Sequence, residues 1–207
     1  MKERQQAMVV AHRDGLPVPR DALILLEHEP VFTLGRGADV SNVLFDIDSK
    51  EFDVRRVERG GEVTFHGPGQ IVGYPVLDLR RHTKDLHWYM RQVEACIIDT
   101  LDIYGVHGGR KSKYTGVWVD NTKVAAVGLN ASKWISSHGF ALNVTTDLDW
   151  FSKIVPCGIT EVGTGVTSLE RLGVCLGELN RVKVQQNIVK SFVKVFEYDK
   201  IYLNEID

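Results

Sequence analysis

Three kinds of residue in this 207-residue chain can carry covalent or proton-transfer chemistry: three cysteines, seven histidines, and any lysine set among apolar neighbours. Cys157 stands in Val155-Pro156-Cys157-Gly158-Ile159, flanked by the two residue types that most strongly shape loops. A filler cysteine needs no such frame, whereas a nucleophile must project from a fixed and accessible backbone. Cys175 has Gly173 and Gly177 nearby, so local context leaves both thiols in play. Cys96 falls inside a helical pattern and reads as a small core residue. A thiol with a pKa near ~8.5 is only slightly ionised at neutral pH and needs help. His66 and His138, each followed by glycine, are candidate helpers. The other candidate is Lys123, which opens the apolar run Val124-Ala125-Ala126-Val127-Gly128. Such a lysine lies either on an exposed strand end or with its head in a pocket, where desolvation makes it a usable acid or base.

The chain is organised around Arg59-Gly60-Gly61-Glu62-Val63-Thr64-Phe65-His66-Gly67-Pro68-Gly69-Gln70. A short β-prone run, Val63-Thr64-Phe65, is held between a glycine pair that permits close backbone approach and a Gly-Pro-Gly turn. A strand so framed can offer backbone N–H groups, an imidazole (His66) and a guanidinium (Arg59) to a bound molecule. It also reads as a plain strand with two turns and a salt-bridged arginine, and it fits no phosphate-loop pattern.

Composition narrows the class. A net charge of −2 argues against a whole-protein nucleic-acid footprint. The cysteines are too few for a disulfide framework, and neither a CxxC nor a clustered Cys/His spacing suggests a metal site. The odd count fits a reducing compartment. No apolar run reaches membrane-spanning length. The N-terminus has no apolar signal core and starts in a polar helix-like segment, as a chain freed of a transit peptide would. The compartment stays open: plastid or mitochondrion for a eukaryotic source, cytoplasm for a bacterial one.

The elements that must position these residues follow from periodicity. Residues 2–13 read as a helix, 21–26 as a buried strand, and 31–34 as a strand followed by a Gly35-Arg36-Gly37 loop. Residues 52–57 lead into the glycine-framed stretch and 71–77 leave it, with Pro75 implying an edge strand or a bulge. Leu86, Tyr89, Met90, Val93, Ile97, Leu101 and Tyr104 recur at helical spacing, so 86–104 is an amphipathic helix ended by Gly105. Residues 117–119 and 124–127 form a β-hairpin around Asp120-Asn121. Residues 140–144 give one more strand, and Leu179 to Phe196 a last helix. Thr167 to Glu170 has capping-box spacing. Without strict βαβ alternation, this is one α/β domain over 1–207 with a mixed β-sheet core and flanking helices.

Five blocks, RGGEVTFHGPGQ (59–70), TGVWV (115–119), TKVAAVG (122–128), SHGFALNV (137–144) and IVPCGI (154–159), occur in an order and spacing that resemble the lipoyl(octanoyl) transferases of lipoate biosynthesis. The resemblance runs from about Leu23 to Leu172, and DLHWY at 85–89 looks like the plastid and cyanobacterial branch. It implies a domain related to the biotin/lipoate protein ligase catalytic domain. It implies that Cys157 is the acyl-accepting nucleophile and that Lys123 lowers its pKa and shuttles protons. It places acyl and pantetheine contacts on Arg59, Gly60, Gly61, Glu62, Val63, Thr64, Phe65 and His66, on Ala126, Val127 and Gly128, and on Gly139, Phe140 and Ala141. Phe65 stands where tyrosine is frequent, and Asp120-Asn121-Thr122 replaces a turn that often holds glycine two residues before the lysine.

The implied reaction passes an octanoyl group from octanoyl-acyl carrier protein, through a cysteine thioester, to the lysine of a lipoyl domain of the 2-oxoacid dehydrogenases or of glycine-cleavage H protein. Neither metal nor cofactor is expected, since 4′-phosphopantetheine arrives as part of the carrier protein, and the chain is expected to act as a monomer. The basic groups Arg55, Arg56 and Arg59, and Arg80, Arg81 and Lys84, are either solvated surface or a docking face for the acidic carrier. Two rival readings share the fold: an ATP-dependent lipoate or biotin ligase, which needs no cysteine in a Pro-Cys-Gly turn, and a non-catalytic acyl-binding module.

Overall fold

A computed structural model describes residues 1–156, 163–175, 177 and 179–203. Helix α1 (Lys2–Arg13) is followed by strands β1 (Ala22–Leu26), β2 (Val31–Leu34), β3 (Val54–Arg56), β4 (Val63–His66) and β5 (Gln70–Val76). Helix α2 (Leu86–Ile103) precedes β6 (Gly109–Lys111), β7 (Tyr114–Val119), β8 (Thr122–Ser132), β9 (Ile135–Asn143), β10 (Gly165–Val166) and helix α3 (Arg181–Val195). The helix ends follow local chemistry. The Asp85 carboxylate accepts from His87 N and Trp88 N to start α2, and Asn180 does the same for α3. Gly105, at φ 69°, ends α2 in the left-handed conformation that glycine adopts without strain.

Two sheets form. The large one runs β1-β5-β9-β8-β7-β6 and is antiparallel along that path, with β10 pairing parallel to the start of β8. The small one runs β3-β2-β4, with β2 parallel to β3 and antiparallel to β4. One face of the large sheet packs on α2 and α3 through Ile71, Val93, Ile97, Val117, Val124, Leu142, Ile188 and Phe192. Cys96 is a buried member of that core. The small sheet has its own aromatic core: Phe32 and Phe65 pack with Phe45, Phe52, Phe151 and Trp150, whose ring stacks on Phe65 at 5.0 Å.

Three local expectations need correction. β1 is half-buried rather than buried, because it is an edge strand. Pro75, conversely, lies one strand in from the edge. β5 pairs with β9 only from Gln70 to Gly73, and contact resumes as a bridge between Asp78 and Ile135. The proline, which has no N–H to give, occupies that interruption, and its carbonyl accepts from Ser136 Oγ at 2.8 Å. The Thr167–Glu170 capping bond does not form: Glu170 N donates to Val144 O at 3.0 Å, and Ser168 Oγ accepts from Arg171 N in a turn that does not become a helix.

Candidate active site

A cavity of about 490 Å³ lies between the sheets. Alternation along each strand decides what lines it. In β2 and β4, Phe32, Leu34, Val63 and Phe65 turn into the small sheet's aromatic core, so Thr33, Thr64 and His66 face the cavity. Val63 and Phe65 therefore drop out of the expected contact set, since their side chains point away. Arg59, Gly60, Gly61, Glu62, Thr64, His66, Ala126, Val127, Gly128, Gly139, Phe140 and Ala141 all line the cavity, with Lys123. Cys157 lies outside the described residues; Pro156, immediately before it, lines a smaller adjoining pocket of about 60 Å³ together with Lys123, Thr64, Ala126, Ala141 and Thr164.

Lys123 faces the cavity because of a β-bulge. Val117 opposes Ala125, yet Trp118 opposes Lys123, so β8 carries one extra residue there. Val124 and Ala125 both turn into the α2-side core, while Lys123 and Ala126 both line the cavity. Regular alternation would have put those last two on opposite faces. The lysine is only 5% exposed. Its ammonium lies 5.0 Å from the centroid of the Trp118 ring, an attractive placement for a cation. Its stem runs past Gly116, where an added Cβ would stand 3.5 Å from Lys123 Cδ and Cε and 2.5 Å from the Ala125 carbonyl. Gly116, at φ 114°, is held by its N–H, which donates to the fully buried Glu94 at 3.0 Å. Arg91 at 2.7 Å and Arg110 at 3.0 Å neutralise that carboxylate. Sequence reasoning missed Glu94: on a helix it looks like any glutamate with an arginine three residues away, and the partners that bury it, Arg110 and Gly116, come from β6 and β7.

The glycine-framed loop is pressed onto β8. Gly60 N donates to Leu129 O at 3.0 Å. A Cβ on Gly128 would stand 3.2 Å from Gly60 O and 3.0 Å from Arg59 Cδ, so the glycine at 128 permits this approach, whereas a Cβ on Gly60 would meet only an ordinary contact, 3.5 Å from Leu129 O. Glu62 turns outward, accepting from Asp39 N at 3.0 Å and Asn42 Nδ2 at 3.1 Å, and so ties the loop to the 35–42 segment.

A buried polar chain runs along the cavity's inner wall. Arg59 Nη2 donates to Thr33 O at 2.6 Å and to Thr33 Oγ1 at 2.9 Å. Thr33 Oγ1 and His66 Nε2 are 3.2 Å apart, and His66 Nδ1 and Gln70 Oε1 are 2.7 Å apart. Gln70 Nε2 donates to Asn143 Oδ1 at 2.9 Å, and Asn143 Nδ2 to Thr167 O at 2.9 Å. Thr167 N donates in turn to Lys123 O at 2.9 Å. The two amides fix the sense of the middle bonds: Gln70 Oε1 must accept from His66 Nδ1–H, which leaves His66 Nε2 to accept from the Thr33 hydroxyl. His66 is thus a neutral imidazole. Burial, reinforced by the charges of Arg59, His28 and His138, depresses its pKa to about 3. Burial likewise lowers His138 to about 4, with Arg59 and Lys2 adding to the effect. Tyr74, which lines the cavity, is 2.7 Å from His28 Nε2.

The expected basic clusters are mostly engaged internally. Arg80 pairs with Asp78 at 2.6 Å, Arg81 reaches Asp21 and Asp78, Arg55 pairs with Asp53 at 2.7 Å, and Arg59 serves Thr33. Among the described residues no group of His, Cys, Asp and Glu could hold a metal ion.

Two solved lipoate ligases share this fold. A lipoate-protein ligase A solved with ATP superposes with a TM-score of 0.71 at 16% identity, over 94% of this chain and 81% of that one. A bipartite lipoate protein ligase of Thermoplasma acidophilum gives 0.69 at 17%, over 94% and 79%. These likenesses speak for the fold alone. The octanoyltransferase of Nostoc sp. is 48% identical over 92% of this chain and 84% of its own length, and that of Gloeobacter violaceus 49% over 90% and 79%. The lipoyl protein ligase A/B catalytic domain matches residues 4–193. The chain belongs to that family, on its octanoyltransferase branch.

Proposed function

We propose that this chain transfers an octanoyl group from octanoyl-acyl carrier protein to the lysine of a lipoyl domain, with Cys157 as the acyl-carrying nucleophile and Lys123 as its proton partner. The observation that supports this most is the bulge that turns a buried lysine into a cavity shared by the glycine loops, beside the residue preceding Cys157.

In the first half-reaction Lys123 already holds the thiol's proton, as the ammonium beside Trp118, and the Cys157 thiolate so formed attacks the donor thioester. The C–S bond to pantetheine breaks, and Lys123 returns the proton to that leaving thiolate. One thioester replaces another, so this step is nearly balanced. In the second, the acceptor amine attacks the acyl-enzyme. Its proton goes by way of Lys123 to the departing Cys157 sulfur, and the amide product lies well below the thioester. No ATP and no resident cofactor enter this scheme. Seven carbons of the tail, buried at ~0.8 kcal/mol each, contribute roughly 5–6 kcal/mol of binding. Arg59, Gly60, Gly61, Glu62, Thr64 and His66, with 126–128 and 139–141, form the walls around the acyl group and the pantetheine end.

The test is intact-mass analysis after mixing the protein with octanoyl-carrier protein without ATP. A single octanoyl adduct on the wild type, absent from Cys157→Ala and discharged by a lipoyl domain, is the expected result. Lys123→Ala should slow both half-reactions by about 10²–10⁴-fold while remaining folded. Transfer that requires ATP, or an adduct that persists in Cys157→Ala, would overturn the reading.

A further inference from the structure

The cavity's exposed lining residues locate its mouth. On one lip these are Gly60 and Gly61; on the other, Leu86 and His87 at the start of α2 with Lys113 and Thr115 on the β6–β7 side. The second lip has a composition that the catalytic reading does not use. Leu86 is 47% exposed although it is a large aliphatic residue at a cavity rim. Lys113 is exposed, with its ammonium 5.4 Å from the Tyr114 ring, and Lys111 beside it reaches Asn121 Oδ1 at 2.8 Å and the Trp118 ring at 4.6 Å. Neither lysine is paired with a carboxylate among the described residues. The acids around the mouth are committed elsewhere: Asp85 caps α2, Glu62 holds Asp39 N and Asn42, and Glu58 pairs with Lys2 at 3.5 Å. An acidic visitor therefore meets two lysine ammonium groups, neither held by a carboxylate among the described residues, close to an apolar anchor.

We propose that this lip, Leu86 with Lys111 and Lys113, is the docking surface for the acidic carrier protein that delivers the acyl group; the proposal rests on the function given above. Reach selects the donor over the acceptor. Lys113 is three residues from Gly116, so the lip lies up to ~10 Å of extended chain from the Lys123 stem. A phosphopantetheine arm spans such an interval, whereas the lysine side chain of a lipoyl domain is much shorter and suits an approach by the small pocket at Pro156 and Thr164.

The experiment compares acyl-enzyme formation from octanoyl-carrier protein and from a small octanoyl thioester of pantetheine, for the wild type and for Lys111→Glu/Lys113→Glu. The expected result is a fall in kcat/KM with the carrier at low salt that is about tenfold or more larger than any fall with the small thioester, together with a flattened salt dependence. Leu86→Ala should act in the same direction without altering the salt dependence. An equal loss with both donors, an unchanged rate with the carrier, or a loss confined to discharge onto the lipoyl domain would overturn the docking assignment. A wild type that accepts acyl groups from neither donor would instead overturn the function on which it rests.

Discussion

Glu94 offers the sharpest test of how the site is held. Its carboxylate is fully buried and accepts from Gly116 N, Arg91 and Arg110. In Glu94→Ala the Gly116 N–H loses its acceptor inside the core, a cost of about 1–3 kcal/mol. The arginines add less. Their side chains are 43% and 38% exposed and can turn to water, so their lost pairing is worth at most about 1 kcal/mol. The total, about 1–4 kcal/mol, lowers the melting temperature of a chain this size by roughly 2–16 °C. Glu94→Gln keeps an oxygen acceptor for Gly116 and gives up only the charge, so it should lose about 1 kcal/mol. Urea titration measures both. The activity readout is linked, because Gly116 forms the flank against which the Lys123 stem lies: the alanine variant should transfer octanoyl groups more slowly at temperatures where it is still folded. A Glu94→Ala protein as stable as wild type, or a Glu94→Gln protein as unstable as Glu94→Ala, would refute this account of the bulge.

Two further outcomes follow from the site. His66 remains neutral in the folded state down to about pH 3, whereas an unfolded chain protonates it below about 6.5, so the unfolded state binds more protons in that window and stability falls as pH drops through it. Between pH 6.5 and pH 5 this amounts to about 2 kcal/mol, and the slope of unfolding free energy against pH should be shallower in His66→Gln. Gly139→Ala should destabilise by about 1–3 kcal/mol in urea titration, because the added Cβ would stand 2.1 Å from the Gly73 carbonyl and 2.5 Å from Pro75 Cδ, and backbone does not yield cheaply.

The long-period and glycine-rich features were legible in the sequence. Helix α2 spans the periodic run and ends before Gly105 as expected, and the Gly60-Gly61 pair does lie close against β8, although the glycine that the contact requires is Gly128. What escaped reading depends on partners remote in sequence or on geometry without a signature residue. The β8–β9 hairpin turns on Lys133 and Trp134, at φ 51° and 65°, with neither glycine nor asparagine to announce a two-residue turn with both residues left-handed. The bulge at Val124 leaves no trace in a run of small aliphatic residues. Gln70 and Asn143 looked like ordinary strand polars, and only the fold joins them into the chain that fixes the His66 tautomer. Nor does a one-dimensional reading distinguish Thr64 from Phe65 as the side chain that faces a ligand; the packing of Phe65 on Trp150 decides it.

The extra residue in β8 makes the spacing of this strand matter more than its composition. Val124 and Ala125 are fully buried and could exchange only for residues of similar volume, but losing either would do more, rotating the amine of Lys123 by half a turn into the oily space beneath α2. Natural variation in this segment should accordingly tolerate substitution at similar volume and reject insertions and deletions, a constraint on chain arithmetic more than on side-chain identity.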